Sequence, residues 1–187
     1  MGETVDVNAH VDFPHDFQWL PGETFEVDCE EAQSRARLFR DVLGRYASGV
    51  TVVTTLVDGE PIGMTCQSFT SVSLDPPLVA FLPTRQSRAF ASIQRTRIFC
   101  VNFLASDQGA VSEKMASGGD DKFAGVAWTP SRATGSPLLE GIVGHVDCTV
   151  HAIHEAGDHH LVLGNVVDLA VGEAAEPLVY YCGGYRT

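Results

Sequence analysis

The segment Val50–Val57, VTVVTTLV, constrains this chain most: seven of its eight residues are β-branched, and Asp58-Gly59 follows at once. β-Branched side chains lose rotamer freedom in a helix and pack well on a pleated surface, so the run favours a strand. An Asp-Gly pair supplies the positive φ angles of a tight hairpin, which predicts a returning strand over Ile62–Cys66. Further strands are predicted at Ser68–Leu74, Leu78–Leu82, Ile98–Leu104, Gly141–Ile153, His160–Val171 and Leu178–Tyr181, with short helices near Arg88–Gln94 and Asp107–Met115. A longer amphipathic helix is predicted over Ala32–Tyr46, where Leu38, Phe39, Val42, Leu43 and Tyr46 recur at three-to-four spacing ahead of Gly49. Many short strands with turn signals and few helices predict a mainly β fold with short helices, a decorated barrel rather than an alternating βαβ sheet.

Charge divides the chain. Residues 1–31 hold nine acidic residues and no Lys or Arg, so they carry −9 of the net −12. We therefore expect an acidic N-terminal extension over residues 1–33 and one folded domain over 34–187, since 187 residues suit one sizeable core better than two. Phe13, Phe17, Trp19 and Phe25 give the extension aromatic groups able to dock on a surface. The negative charge argues against nucleic acid as a partner, because that affinity comes from Lys and Arg neutralising phosphates. No apolar run approaches the roughly 20 residues that cross a bilayer, so no membrane association is expected. The opening MGETVDVNAHVDF has neither the basic nor the apolar region of a secretory signal, so a cytoplasmic protein is expected. Cys29, Cys66, Cys100, Cys148 and Cys182 are odd in number and contain no CxxC pair, which fits reduced thiols.

Several chemistries lack their motifs. There is no GxGxxG turn, no GxxxxGK[ST] phosphate loop and no GxSxG elbow, so a dinucleotide would have to bind without a Rossmann domain. His151, His154, His159 and His160 crowd into ten residues. On strands, residues three apart or adjacent point to opposite faces, so neither local pair chelates and no metal site is expected.

Gly63–Pro77, GMTCQSFTSVSLDPP, joins small hydroxyl residues, an amide and a double proline. One reading is structural: Thr and Ser suit strands, and Asp-Pro-Pro punctuates a turn. The other is a site for a flat heteroaromatic ring, whose rim of carbonyls and nitrogens is approached edge-on by backbone N–H groups and short hydroxyls.

That segment, taken in order with GVTVVTT at Gly49–Thr55, FCVNFL at Phe99–Leu104, DKFAG at Asp121–Gly125 and GDHHLVLGNV at Gly157–Val166, resembles the short-chain flavin reductase family. Its members include the reductase components of 4-hydroxyphenylacetate, phenol and steroid-ring monooxygenases. The resemblance runs from about Arg35 to the C-terminus; each string alone is weak, and their co-occurrence is specific. It implies an FMN-binding split β-barrel, homodimeric, that transfers hydride from NADH to free FAD, with FMN as the second choice, and supplies reduced flavin to a separate flavin-dependent monooxygenase. It also implies that Thr65, Cys66, Gln67, Ser68 and Ser71 line the ring and ribityl chain, and that Thr51 and Val52 bind the cofactor with them. Cys66-Gln67 stands where many relatives carry Ala-Asn. Ser87 and Arg88, at a helix start, and Lys122 and Phe123 are implied around the flavin phosphate or tail. Each has a plainer alternative, a helix cap for Ser87 and a solvated charge for Lys122. His159 of the GDH turn is the implied contact to NADH or the flavin edge and the one catalytic candidate; the alternative is a residue that simply builds the hairpin. Tyr185 is implied to stack on a ring or, alternatively, to pack at the terminus. Two rival functions stand beside the reductase: a split-barrel flavin carrier or sensor without enzymatic activity, and a pyridoxamine-phosphate-oxidase-like enzyme.

Overall fold

In the computed structural model, which describes residues 37–119 and 121–186, a two-residue strand β1 (Ser48–Gly49) leads into β2 (Thr51–Val57), the β-branched run. The first five residues of β2 are all buried. A strand covered on one face buries alternate residues; β2 is covered on both. Val53 joins a core with Phe81, Phe90, Ile93, Phe99 and Val162. Val52 joins a second, with Val50, Leu104, Met115, Leu139 and Leu178. Two-sided burial is why the segment reads as a continuous run instead of an alternating one.

The predicted hairpin forms: Asp58 and Gly59 take φ of 54° and 88°, and β3 (Glu60–Cys66) pairs antiparallel with β2 from Val57↔Glu60 to Thr51↔Cys66. β4 (Thr70–Leu74), β5 (Pro77–Phe81) and β6 (Ile98–Phe103) follow. Two short strands, β7 (Trp128–Pro130) and β8 (Pro137–Leu139), precede the long hairpin of β9 (Gly144–Ala156) and β10 (His159–Val171). β11 (Val179–Tyr181) and β12 (Gly184–Arg186) close the chain. The main sheet has the order β3-β2-β6-β9-β10-β5-β4, β1-β11-β12 form a second, and β7-β8 a third. All seven strands of the main sheet pair antiparallel, in the mainly β architecture expected.

Four strands were not predicted: β1, β7, β8 and β12 run two or three residues each, too short to show a period. Side chains hold β8 in place. Asn102 is fully buried; its Nδ2 donates to Val52 O at 3.1 Å and Pro137 O at 3.3 Å, and its Oδ1 accepts from Leu139 N at 2.8 Å. Thr54 Oγ1 donates to the same Pro137 O at 2.6 Å.

Three helices complete the described residues. In α1, residues 37–43 are helical and the helix stops before Gly44 rather than at Tyr46. Its start, the acidic extension and the 33/34 boundary lie outside the described residues. The apolar positions that predicted it, Leu38, Phe39, Val42 and Leu43, are 53–65% exposed, so they cover no core of this chain. α2 (Arg88–Thr96) buries Ala89, Phe90 and Ile93, and α3 (Gly109–Ala116) buries only Ser112 and Met115. No helix among the described residues is long and apolar enough to cross a membrane.

Candidate functional site

A cavity of about 750 Å3 opens where the end of β3, the N-terminus of α2 and the C-terminus of α3 meet. Of the residues singled out from sequence, Thr65, Cys66, Gln67, Ser68, Ser87, Arg88, Lys122 and His159 line it. Thr51, Val52, Ser71, Phe123 and Tyr185 do not. Residues without any motif also contribute, among them Thr84, Gln86, Ser117 and Gly118. Their only signal in the sequence is the small, polar composition of the two loops that carry them.

The β3 wall is built by committed hydroxyls. Thr65 Oγ1 donates to Ser112 O of α3 at 2.5 Å, so it is the Thr65 backbone that remains for a ligand. Ser68 Oγ donates to Leu82 O at 3.2 Å and accepts from Leu82 N at 3.1 Å, stapling the exit of β3 to the exit of β5. Having given its one hydrogen to Leu82, Ser68 Oγ accepts the Cys66 thiol, 3.2 Å away. Burial pushes the Cys66 thiol up, so it stays protonated at neutral pH and is a poor nucleophile. Beneath this wall, Thr51 Oγ1 donates to Cys66 O at 2.7 Å, and Val52 is core. Ser71 pairs with Val79 on the sheet edge instead. Gly63 is closely packed. A Cβ there would lie 3.1 Å from Met115 Sδ and 3.2 Å from Phe123 Cε2, which places Phe123 behind the wall.

The second wall carries the positive charge. Ser87 caps α2: its Oγ accepts from Phe90 N at 3.2 Å and donates to Met64 Sδ at 3.2 Å. Capping leaves the first backbone N–H groups of α2 at the cavity, where the helix dipole favours an anion. Arg88 donates to Gly118 O at 2.5 Å, and Lys122 Nζ donates to Met115 O at 2.7 Å. Both cations thus hold carbonyls at the C-terminus of α3, where positive charge is favourable. Burial, and then the Arg88 charge, lower the Lys122 pKa. A pair of cations crowded in this way gains by taking up a shared anion.

His159 arrives from far along the chain. Thr84 forms a bridge with His159, Arg85 N donates to Asp158 O at 3.0 Å, and His160 N donates to Pro83 O at 2.9 Å. These bonds tie the β9–β10 turn to the loop between β5 and α2. His159 Nδ1 lies 2.7 Å from Asp158 Oδ1, and that hydrogen bond holds the Asp158 carboxyl below its usual value. A carboxylate only accepts, so Nδ1 carries the hydrogen and Nε2 is the nitrogen left for a ligand. The neighbouring His160 turns away and packs its ring 4.8 Å from that of Phe90. His151 and His154 lie on β9, as strand residues.

Tyr185 is placed differently from a stacking residue. Its ring packs edge-on to Tyr180 at 5.6 Å, and its hydroxyl donates to Ser112 Oγ at 2.9 Å.

Known proteins share this fold. Residues 43–187 match the flavin reductase like domain. The chain is 47% identical to the reductase subunit HsaB of a flavin-dependent monooxygenase from Rhodococcus jostii, over 80% of this chain and 76% of that protein. Nitrilotriacetate monooxygenase component B from Mycobacterium thermoresistibile superposes with a TM-score of 0.79 at 46% identity, covering 83% of this chain and 87% of that one. The NADH:FAD oxidoreductase SgcE6 of Streptomyces globisporus, in complex with NAD and FAD fragments, superposes with a TM-score of 0.78 at 35% identity over 83% of this chain and 93% of that one.

Proposed function

The chain belongs to the flavin reductase family, and from that membership we propose that it takes hydride from NADH, passes it to free flavin and supplies the reduced flavin to a separate flavin-dependent monooxygenase. FAD is the flavin proposed and FMN the second choice. The fold is the family's split β-barrel, and the enzyme is an NADH-dependent oxidoreductase.

One observation carries the site assignment: a single cavity joins the short polar β3 edge, a capped helix N-terminus with two cations, and a histidine of fixed tautomer. Those residues fit a phosphorylated flavin. Its volume lies within the ~300–1,000 Å3 of small-molecule sites. The Gly63–Ser68 backbone would hold the ring, and Arg88, Lys122 and the α2 N-terminus would hold the phosphate.

When bound together, nicotinamide and flavin supply the hydride chemistry themselves. The chain positions them. Backbone N–H groups along Thr65–Ser68 stabilise negative charge that develops on the ring rim, in the manner of an oxyanion hole and without a charged catalytic residue. His159 Nε2 orients the nicotinamide or moves a proton at the ring edge. Arg88 and Lys122 exchange carbonyl partners for the flavin phosphate.

The protein is further proposed to be a cytoplasmic homodimer. Val167, Leu169 and Val171 of β10 are 43–90% exposed, Leu74 on the sheet edge is 95% exposed, and the apolar residues of α1 are exposed as well. Soluble monomers rarely leave large contiguous apolar patches in water, which supports a second copy over these faces. The acidic extension over 1–33 is proposed to lie outside the catalytic domain.

Steady-state NADH and NADPH oxidation with FAD, FMN and riboflavin as acceptors tests the function. NADH with FAD is expected to turn over fastest, and no turnover above the uncatalysed rate with any pair would refute it.

A further inference from the structure

We propose that Tyr185 sets the flavin site without touching the flavin, through a hydrogen-bond relay that runs from Tyr185 Oη to Ser112 and from Ser112 to Thr65 on the cavity wall. The proposal rests on the flavin reductase reading and names a positioning residue for it.

The relay matters because, beside the core contact of Met115 and the Gln108 bonds to Ala105 N and Glu140 O, it ties α3 by hydrogen bonds to both β3 and the C-terminal hairpin. The helix is eight residues long, its N-cap Gln108 makes no side-chain capping bond, and only Ser112 and Met115 are buried. A helix this short has no stability of its own in water, so tertiary contacts decide where it sits. Two of the strongest converge on Ser112, which is fully buried. From one side, Tyr185 Oη donates to Ser112 Oγ at 2.9 Å. From the other, Thr65 Oγ1 donates to Ser112 O at 2.5 Å. The C-terminal hairpin and the β3 wall are therefore fastened to the same residue.

The end of α3 beyond Ser112 reaches the cavity. One turn on, Met115 lies against Gly63, and its carbonyl holds Lys122. Met115, Ala116, Ser117 and Gly118 line the cavity, and Gly118 O holds Arg88. A shift of α3 of a few tenths of an ångström moves the Thr65 backbone, the Met115 side chain and both cations together. Tyr185 itself stays outside the lining, its ring between Tyr180 and the start of α3, where a Cβ on Gly109 would meet it at 3.5 Å.

Tyr185→Phe keeps the ring and removes only the hydroxyl. Flavin affinity, read by quenching of flavin fluorescence on binding, is expected to weaken about three- to tenfold, the effect of one lost hydrogen bond to a partly buried group. The NADH KM is expected to stay within about twofold and Tm to fall by only about 2–4 °C. Ser112→Ala is expected to give the same loss, and the double variant no more than either alone, because both remove one link. Unchanged flavin affinity in Tyr185→Phe, or losses that multiply in the double variant, would overturn the relay. So would a rise in NADH KM alone, which would place the Tyr185 ring on the nicotinamide, or a loss of affinity that tracks a large fall in Tm. Flavin Kd needs no turnover. A chain that binds flavin but oxidises no NADH would defeat the reductase reading while this comparison still decides the relay.

Discussion

Replacing Ser87 separates a hydroxyl that builds the site from one that binds the ligand. In the structure the Ser87 side chain is already used: it accepts from Phe90 N at 3.2 Å as the cap of α2 and gives its hydrogen to Met64 Sδ. Loss of a serine cap costs about 1 kcal/mol. For a chain of this size that amounts to a fall in Tm of about 2–4 °C. Ser87→Ala is therefore expected to lower Tm by that amount, in differential scanning fluorimetry, and to change the flavin KM by less than about threefold. Ser87→Asp provides the contrast. Aspartate caps as well as serine and its charge suits the helix dipole, so Tm is expected at or above wild type. The same carboxylate would stand beside the proposed phosphate. Two like charges about 4 Å apart repel by about 1 kcal/mol even in water and by more near a protein surface, so the flavin KM is expected to rise at least fivefold. An unchanged Tm with a tenfold higher flavin KM in Ser87→Ala would show that the hydroxyl binds phosphate directly, against the capping argument. Wild-type flavin affinity in Ser87→Asp would remove the phosphate from this helix end altogether.

His159→Ala is expected to raise the KM for NADH more than that for flavin in steady-state kinetics; an unchanged NADH KM would count against its assignment. Asn102→Ala leaves the buried Leu139 N without its acceptor and removes one of the two donors on Pro137 O, and an equilibrium urea titration is expected to show a loss of about 2–3 kcal/mol. The Asp168 carboxyl is held below its usual value first by the hydrogen bond from Arg132. Its folded pKa lies below the unfolded one, so its contribution is complete above the unfolded value and lost as pH falls through the folded one. Arg132→Ala is thus expected to lower Tm near pH 7 and to lose that effect as acid protonates Asp168, a difference visible in thermal melts taken down through the carboxylate range. Removing residues 1–31 is expected to leave turnover and flavin KM largely intact, and loss of flavin binding would place the extension at the site.

Much of the fold was legible because its signals are local. A β-branched run and an Asp-Gly pair state strand, turn and return strand within seventeen residues, and β2, the Asp58-Gly59 turn and β3 appear where they predict. The β3 edge of the cavity was legible for the same reason, since Thr65, Cys66, Gln67 and Ser68 follow one another along the chain. Arg88, Lys122 and His159 were marked by the resemblance to flavin reductases, since residue chemistry left each with a plainer alternative. The strands β7 and β8 were not legible, because three residues carry no period and Asn102, far away in sequence, holds β8.

What the sequence could not decide is what each side chain is already bonded to. Ser87 was a phosphate ligand or a cap, and Phe90 N made it a cap. Tyr185 was a stacking ring or terminal packing, and the buried Ser112 drew its hydroxyl away from the cavity. Ser71 shares a motif with Thr65 yet pairs on the sheet edge, because a strand places its residues by register and not by motif. His159 reached the cavity only through the bonds that join the β9–β10 turn to Pro83, Thr84 and Arg85. Backbone preference acts over a few neighbouring residues, and the chain states it outright. Partner choice depends on which surfaces the sheet order β3-β2-β6-β9-β10-β5-β4 brings together, and each hydroxyl has a single hydrogen to give, so only the folded arrangement settles where it goes.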